Sequence, residues 1–305
     1  MANLKLKLDE KIEISDNLNC TVRKIVDVGM EDIVIARFWV QNFAILEKTT
    51  FDQATRSKLE NILHQLAEDT LSLRGDIMGY VAEVKRYFEG VKSGEFYEKK
   101  GNIEYFKEVF HGKKMVEDFY FHAELCKRDA IRFLRIALCQ VKSFSWSQYY
   151  QLFLQQPQHY SRLSNELKFR WEDLDLIRGI RGVIEHGDDD KDFGITDIYL
   201  KQTDKGTAFH QPYFSYPEEK EVRAIDGTKE KVTLKGTTVI NILDKHFWSI
   251  FNVCESCVVF PLYAHLDPSW QPKQLSLQSM DKKCPIRWSI EPATNPRKTV
   301  NHPSV

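Results

Sequence analysis

The chain has 305 residues, 42% hydrophobic and 29% charged, which suits a globular protein with a sizeable core. A formal net charge of −1 excludes a long-range basic field, so nucleic acid would have to bind at a local patch. Six cysteines without framework spacing exclude a disulfide scaffold.

The opening MANLKLKLDEKIEIS alternates apolar and charged residues, which predicts extended backbone and lacks the apolar core of a signal peptide. The longest apolar runs, IVIA before Arg37 and CVVFPLYA at 257–264, fall far short of the roughly 20 residues of a membrane span. The expectation is a soluble protein of the reducing cytoplasm with no membrane partner. EDIVIARFWVQNFAILEK (31–48) is apolar on most sides and predicts a buried helix. Thr50-Phe-Asp-Gln53 has the form of a capping box. Beyond it Leu59, Ile62, Leu66, Leu73, Ile77, Tyr80, Val84 and Tyr87 recur at mostly three- and four-residue steps. They predict one long amphipathic helix, or two broken near Gly75. SGEFYEKKG (93–101) is a polar break.

Over 115–142 Val116, Phe119, Ala123, Cys126, Ala130, Phe133 and Ala137 form the most regular stripe in the chain. Its three alanines, seven residues apart, would let a neighbouring helix come close. Ser145-Trp-Ser-Gln148 is a second capping box, opening a short helix to about Gln155, and 160–186 is helical again. The pattern then changes. ITDIYL (195–200) predicts a strand, and Asp226-Gly227 between two β-rich runs predicts a hairpin. Helical periodicity returns at 237–260 and ends near Pro261. The fold class is therefore mainly α: a helical bundle with a small β-hairpin insertion, about 193–236, before the last core helix. An N-terminal segment and first helix (1–50) precede the main helical domain (51–265), and a proline-rich, irregular tail (266–305) follows it.

The most informative stretch is LIRGIRGVIEHGDDD (176–190). Arg181 and His186 are five residues apart, which on an ideal helix turns them roughly 140° from each other. They can share a site only if the helix loosens at Gly182 or Gly187, or if a second chain supplies its own copy. Gly187 stands where a helix cap would leave His186 at the last helical position. Local rules alone give an ordinary account: a histidine favoured by the helix dipole, with Arg178–Glu185 and Arg181–Glu185 pairs. The same residues also suit phosphate chemistry. A guanidinium can hold two phosphate oxygens, and an imidazole can move a proton at neutral pH. Asp188, Asp189 and Asp190 would favour the protonated imidazole and also repel a polyanion.

Ile180-Arg181-Gly182-Val183-Ile184-Glu185-His186-Gly187 resembles the Arg-x4-His signature of the HEPN superfamily. The order of parts over roughly 51–265 is similar too, with the signature near the end of a late helix and one core helix after it. The resemblance implies a small all-helical, often dimeric domain. It implies a metal-independent endoribonuclease of the kind found in toxin–antitoxin and other defence systems, with an antitoxin or defence protein as a further partner. It implies that Arg181 holds the scissile phosphate while His186 acts as general acid or base during attack by the RNA 2′-hydroxyl, at a homodimer axis. Where the family often carries Asn, Asp or His after the arginine, this chain has Gly182. A non-catalytic HEPN-like module for dimerisation, or for nucleic-acid or protein binding, is the alternative.

Further substrate contacts are sought at Arg178 and Glu185, and at Arg128, Arg132 and Arg135. The last three form a basic ridge at i, i+4, i+7 that is either an RNA track or a solvated face. Cys254-Glu-Ser-Cys257 has metal-like spacing but lies in an apolar helix, so its thiols read as core residues. Asp188, Asp190 and Asp192 with Gly194 only partly match a calcium loop, since its twelfth position is Tyr199. No metal and no cofactor are expected. Phe144, Trp146, Tyr149 and Tyr150 form an aromatic cluster suited to a core, an interface or base stacking.

Overall fold

A computed structural model describes residues 29–100, 103–108, 110–142, 144–186, 194–196, 198–203, 206–215, 220–232, 236–276 and 280–294. The extended opening read from LKLKL and IEI lies outside the described residues, as does the acidic run 187–193.

The architecture is a mainly helical bundle, as the periodicity predicts. The apolar segment 31–48 is a helix, but its first part, Ile35–Gln41, is π-helical before it tightens into α1 (Asn42–Leu46). α2 (Gln53–Ser93) is a single helix of 41 residues. No break occurs at Gly75, where a side chain would meet nothing within 4 Å. Its cap is not Thr50 but Asp52, whose carboxylate accepts from the Thr55 amide at 2.6 Å. Thr50 instead donates its amide and its hydroxyl to the His265 carbonyl, at 2.8 and 3.2 Å, which ties the start of α2 to the end of the last helix. α2 closes on Gly94 at φ +79°, and a Cβ on Gly90 would overlap the Phe96 ring at 2.2 Å.

The segment read as a polar break carries a strand, β1 (Tyr97–Lys100), which pairs with β2 (Ile103–Phe106) just beyond it. α3 (Gly112–Ala137) carries the predicted stripe, buried along its length. Its small residues serve two neighbours at once. Thr70 of α2 lies 3.7 Å from the Cys126 sulfur, and the thiol of Cys254 reaches the Cys126 carbonyl at 3.6 Å. α4 (Trp146–Gln155) opens with the capping box read from the sequence, Ser145 and Gln148 bonding reciprocally. α5 spans Pro157–His186.

The insertion is built of short antiparallel strands. β3 (Gly194–Thr196), β6 (Tyr213–Ser215) and β9 (Thr237–Thr238) form one sheet with β6 in the middle. β4 (Tyr199–Thr203) pairs with β5 (Gly206–His210). β7 (Lys220–Arg223) pairs with β8 (Lys229–Val232) around the Asp226-Gly227 turn that the sequence marks. Thr238 then caps α6 (Val239–Ala264), which packs against α2, α3 and α5. α6 does not stop at Pro261, because a proline in the last turn sacrifices only one ladder bond. It is long and apolar enough to cross a bilayer, yet 78% of its apolar window is buried inside the bundle.

The segment after 265 is not uniformly irregular. β10 (Trp270–Gln274) and β11 (Trp288–Pro292) form an antiparallel hairpin. Trp288 packs edge-on against Phe260 at 5.3 Å and Tyr263 at 6.1 Å. Proline at 272 and 285 does not prevent this, since a two-stranded ribbon has free edges. A buried polar cluster holds the hairpin down. Gln41 accepts the amides of Arg287 and Trp288 at 2.8 and 2.7 Å and donates to Glu255 at 3.2 Å. Arg37 reaches the same carboxylate at 3.4 Å. Residues from 295 on lie outside the described part.

Candidate functional site

The end of α5 is an unbroken helix through His186. Ile177 and Ile180 are buried and Ile184 packs on the core, so that face points inward. Positions 178, 182 and 186 follow one another at steps of four and form a neighbouring row. Gly182 is helical, and a Cβ there would meet nothing within 4 Å. Neither tight packing nor a left-handed backbone within the chain therefore explains this glycine. The helix does not loosen between Arg181 and His186, so the roughly 140° set by the helical period stands between the two positions. The side chains of Glu185 and His186 lie outside the described ones, and with them the expected pairs to Glu185. Arg178, 73% exposed, bonds Asp175 at 2.5 Å, one turn earlier. Arg181 is half-buried.

Beside this helix end lies a groove of about 790 Å³. Trp146 and Phe144 come from α4 and its approach, Trp171 and Arg178 from α5, Ile131 from α3, and Ile225 from the β7–β8 turn. The capping box explains how α4 presents its side of the groove. By fixing the first turn at Ser145, it sets the row Gln148, Gln151 and Gln155 along the groove wall. Asp175 and Asp226 stand in the same wall as Arg178.

The arginine ridge of α3 flanks this groove without lining it. Arg128 and Arg135 lie three residues before and four after Ile131, hence on its face. Arg128 is 58% exposed and Arg132 48% exposed. Arg132 donates to Asp129 at 2.7 Å, and Arg128 lies 3.8 Å from the same oxygen. Asp129 is not a surface charge. It is fully buried and faces Asp69 of α2, whose carboxyl is pushed up to about 6 by burial and by Asp129. The ridge thus rests on a buried acidic pair that sequence spacing could not reveal, because its members are sixty residues apart.

Of the aromatic cluster, Tyr149 and Tyr150 are core residues, and burial pushes the Tyr149 phenol up to about 12. Trp146 and Phe144 reach the groove instead. Trp171, the partner that completes it, was not singled out in the sequence. Its signal is a tryptophan two turns before Arg178 on the helix that carries the Arg181–His186 motif. Cys254 and Cys257 are buried core thiols, raised by burial. His246 is buried beside Tyr120 at 3.1 Å, and burial pushes it down to about 3, so it stays neutral and out of reach of any substrate. No protein-family model matches the chain, and neither the curated proteins nor the solved structures contain a match to it.

Proposed function

We propose that the chain is a HEPN-like, metal-independent endoribonuclease whose reaction centre is composite, with Arg181 of one copy acting beside His186 of another. The observation that carries this is the unbroken α5. An intact helix keeps positions 181 and 186 on different faces, so the pair can converge only across a symmetric contact. The open space at Gly182, in the row that leads to position 186, leaves room for the approach of a second helix or of the RNA backbone.

In this reading the imidazole of His186 takes the proton of an RNA 2′-hydroxyl, and the 2′-oxygen forms a bond to the adjacent phosphorus. The bond from phosphorus to the 5′-oxygen breaks, and that oxygen leaves with a proton taken from water, while the imidazolium returns its own proton to solvent. The products are a 2′,3′-cyclic phosphate and a 5′-hydroxyl end. The guanidinium of Arg181 neutralises charge gathering on the phosphoryl oxygens. Toxin or defence activity, and a cytoplasmic partner protein that restrains it, belong to the same proposal.

The test is RNA cleavage in excess EDTA by the wild type, by Arg181→Ala, by His186→Ala and by the two variants mixed. Each variant alone is inert. The mixture regains activity, because a mixed dimer carries one complete centre. Cleavage that survives either substitution, or a mixture that stays inert although mixed dimers form, sinks the composite centre. A second reading, RNA binding without cleavage, draws on Gly182, which offers no polar group to orient the reacting atoms. Intact RNA held in a stable complex would establish it.

A further inference from the structure

We infer that the groove between α4, α5 and the β7–β8 turn is a base-binding subsite for single-stranded RNA, with the bases inside and the phosphates running along the arginine ridge of α3. This rests on the reading of the chain as an RNA-acting protein, but not on its cutting RNA.

Three features of the groove converge on that occupant. Trp146 and Trp171 come from two different helices and give it aromatic walls. Stacking on aromatic side chains is the commonest way to hold an unpaired base, and a duplex cannot offer its bases in this way. Gln151 and Gln155, both exposed, stand along the wall at helical spacing. Each amide carries donors and an acceptor, which base edges match. Charge then fixes the orientation of the strand. Asp226 sits in the groove wall beside the Asp175–Arg178 pair, so a phosphate chain gains no net cationic charge inside. Carboxylates do accept the exocyclic amines of bases. Outside the groove, on either side of Ile131, stand Arg135 and Arg128, the latter 58% exposed although 3.8 Å from Asp129, so the backbone belongs there. Arg178 lines the groove, held by Asp175, and is one turn from Arg181. A strand seated in the groove is thus delivered to the motif.

The test uses a fluorescein-labelled single-stranded 2′-O-methyl oligoribonucleotide, which cannot be cleaved, in EDTA. Its abasic analogue and a duplex of equal length serve as comparisons. Wild-type protein is expected to bind the single strand about ten-fold more tightly than the abasic strand. Trp146→Ala should remove that difference, while Trp146→Phe keeps most of it. Arg178→Ala, at an exposed position that cannot endanger folding, should weaken binding several-fold. Irradiation should cross-link the strand to Trp146 or Trp171. Equal affinity for abasic and ordinary strands overturns the subsite, as does equal affinity for the duplex. Full binding by Arg178→Ala and Trp146→Ala together also overturns it, as does loss of a dimer in those variants with binding unchanged, which would make the groove a contact between copies. A parallel incubation with ordinary RNA separates the two proposals. Selective binding without cutting removes the nuclease and leaves the subsite standing.

Discussion

Asp69 of α2 and Asp129 of α3 meet in the interior of the bundle, and the first carboxyl holds its proton to about pH 6 because burial and the second carboxylate both oppose its charge. A carboxyl raised in the folded state stabilises that state most when the pH is below its ordinary value near 4. That contribution is lost as pH rises through about 6. The wild type should therefore melt at a lower temperature at pH 7.5 than at pH 5. Asp69→Asn, which keeps the shape and removes the charge, should flatten this slope and stabilise the protein near neutrality by on the order of 2 kcal/mol. Parallel melting curves for the two proteins across that range would count against the raised Asp69 carboxyl.

Glu255 is fully buried among Arg37, Gln41 and Arg287. Removing one member of such a set strands the others without a counter-charge. Glu255→Ala should cost about 3–5 kcal/mol in chemical denaturation. The C-terminal hairpin should become the first site of proteolysis, since Gln41 and Glu255 together hold it. A loss below about 1 kcal/mol, or unchanged proteolysis, would show that packing of Trp288 alone secures the hairpin.

At Gly182 a methyl group has open space and helical backbone. Gly182→Ala should raise the stability of the isolated protomer by about 1 kcal/mol. If a second copy approaches this row, as proposed, the same substitution should weaken dimerisation in sedimentation. Higher stability with unchanged association would remove Gly182 from any interface.

Four of the five described cysteines should react with a thiol reagent in two classes. Cys139 is exposed and should label at once, whereas Cys126, Cys254 and Cys257 are buried and should wait for unfolding. Rapid native labelling at Cys254 or Cys257 would contradict their place in the core.

The bundle was legible because its main helices carry period-3.6 stripes long enough to outweigh local ambiguity. The Ser145 cap and the Asp226-Gly227 turn were legible because each is a local device read from neighbouring residues. What escaped were features made by distant parts of the chain. The β10–β11 ribbon is held by Gln41 and Glu255, far back in sequence, so its own prolines gave the wrong impression. The π-helical start needs tertiary partners for Arg37 and Gln41, which no window of sequence displays. Of the candidate site, Trp146 and Arg178 were visible singly. Their meeting with Trp171 across a shared groove depends on how α4 packs on α5.

The bundle's middle is supplied by α6, which follows every other core helix in the chain. A ribosome therefore releases α2, α3 and α5 before the element they are shaped to surround. Those helices can pair early through neighbours in sequence, but the core cannot close until residues beyond 250 have emerged, and Gln41 waits longer still for the amides of 287 and 288. Such distant pairings make closure slow and leave apolar stripes bare in the meantime. A nascent chain of this protein is thus a natural client for chaperones, and translation halted before α6 should yield a sticky fragment rather than a smaller working bundle.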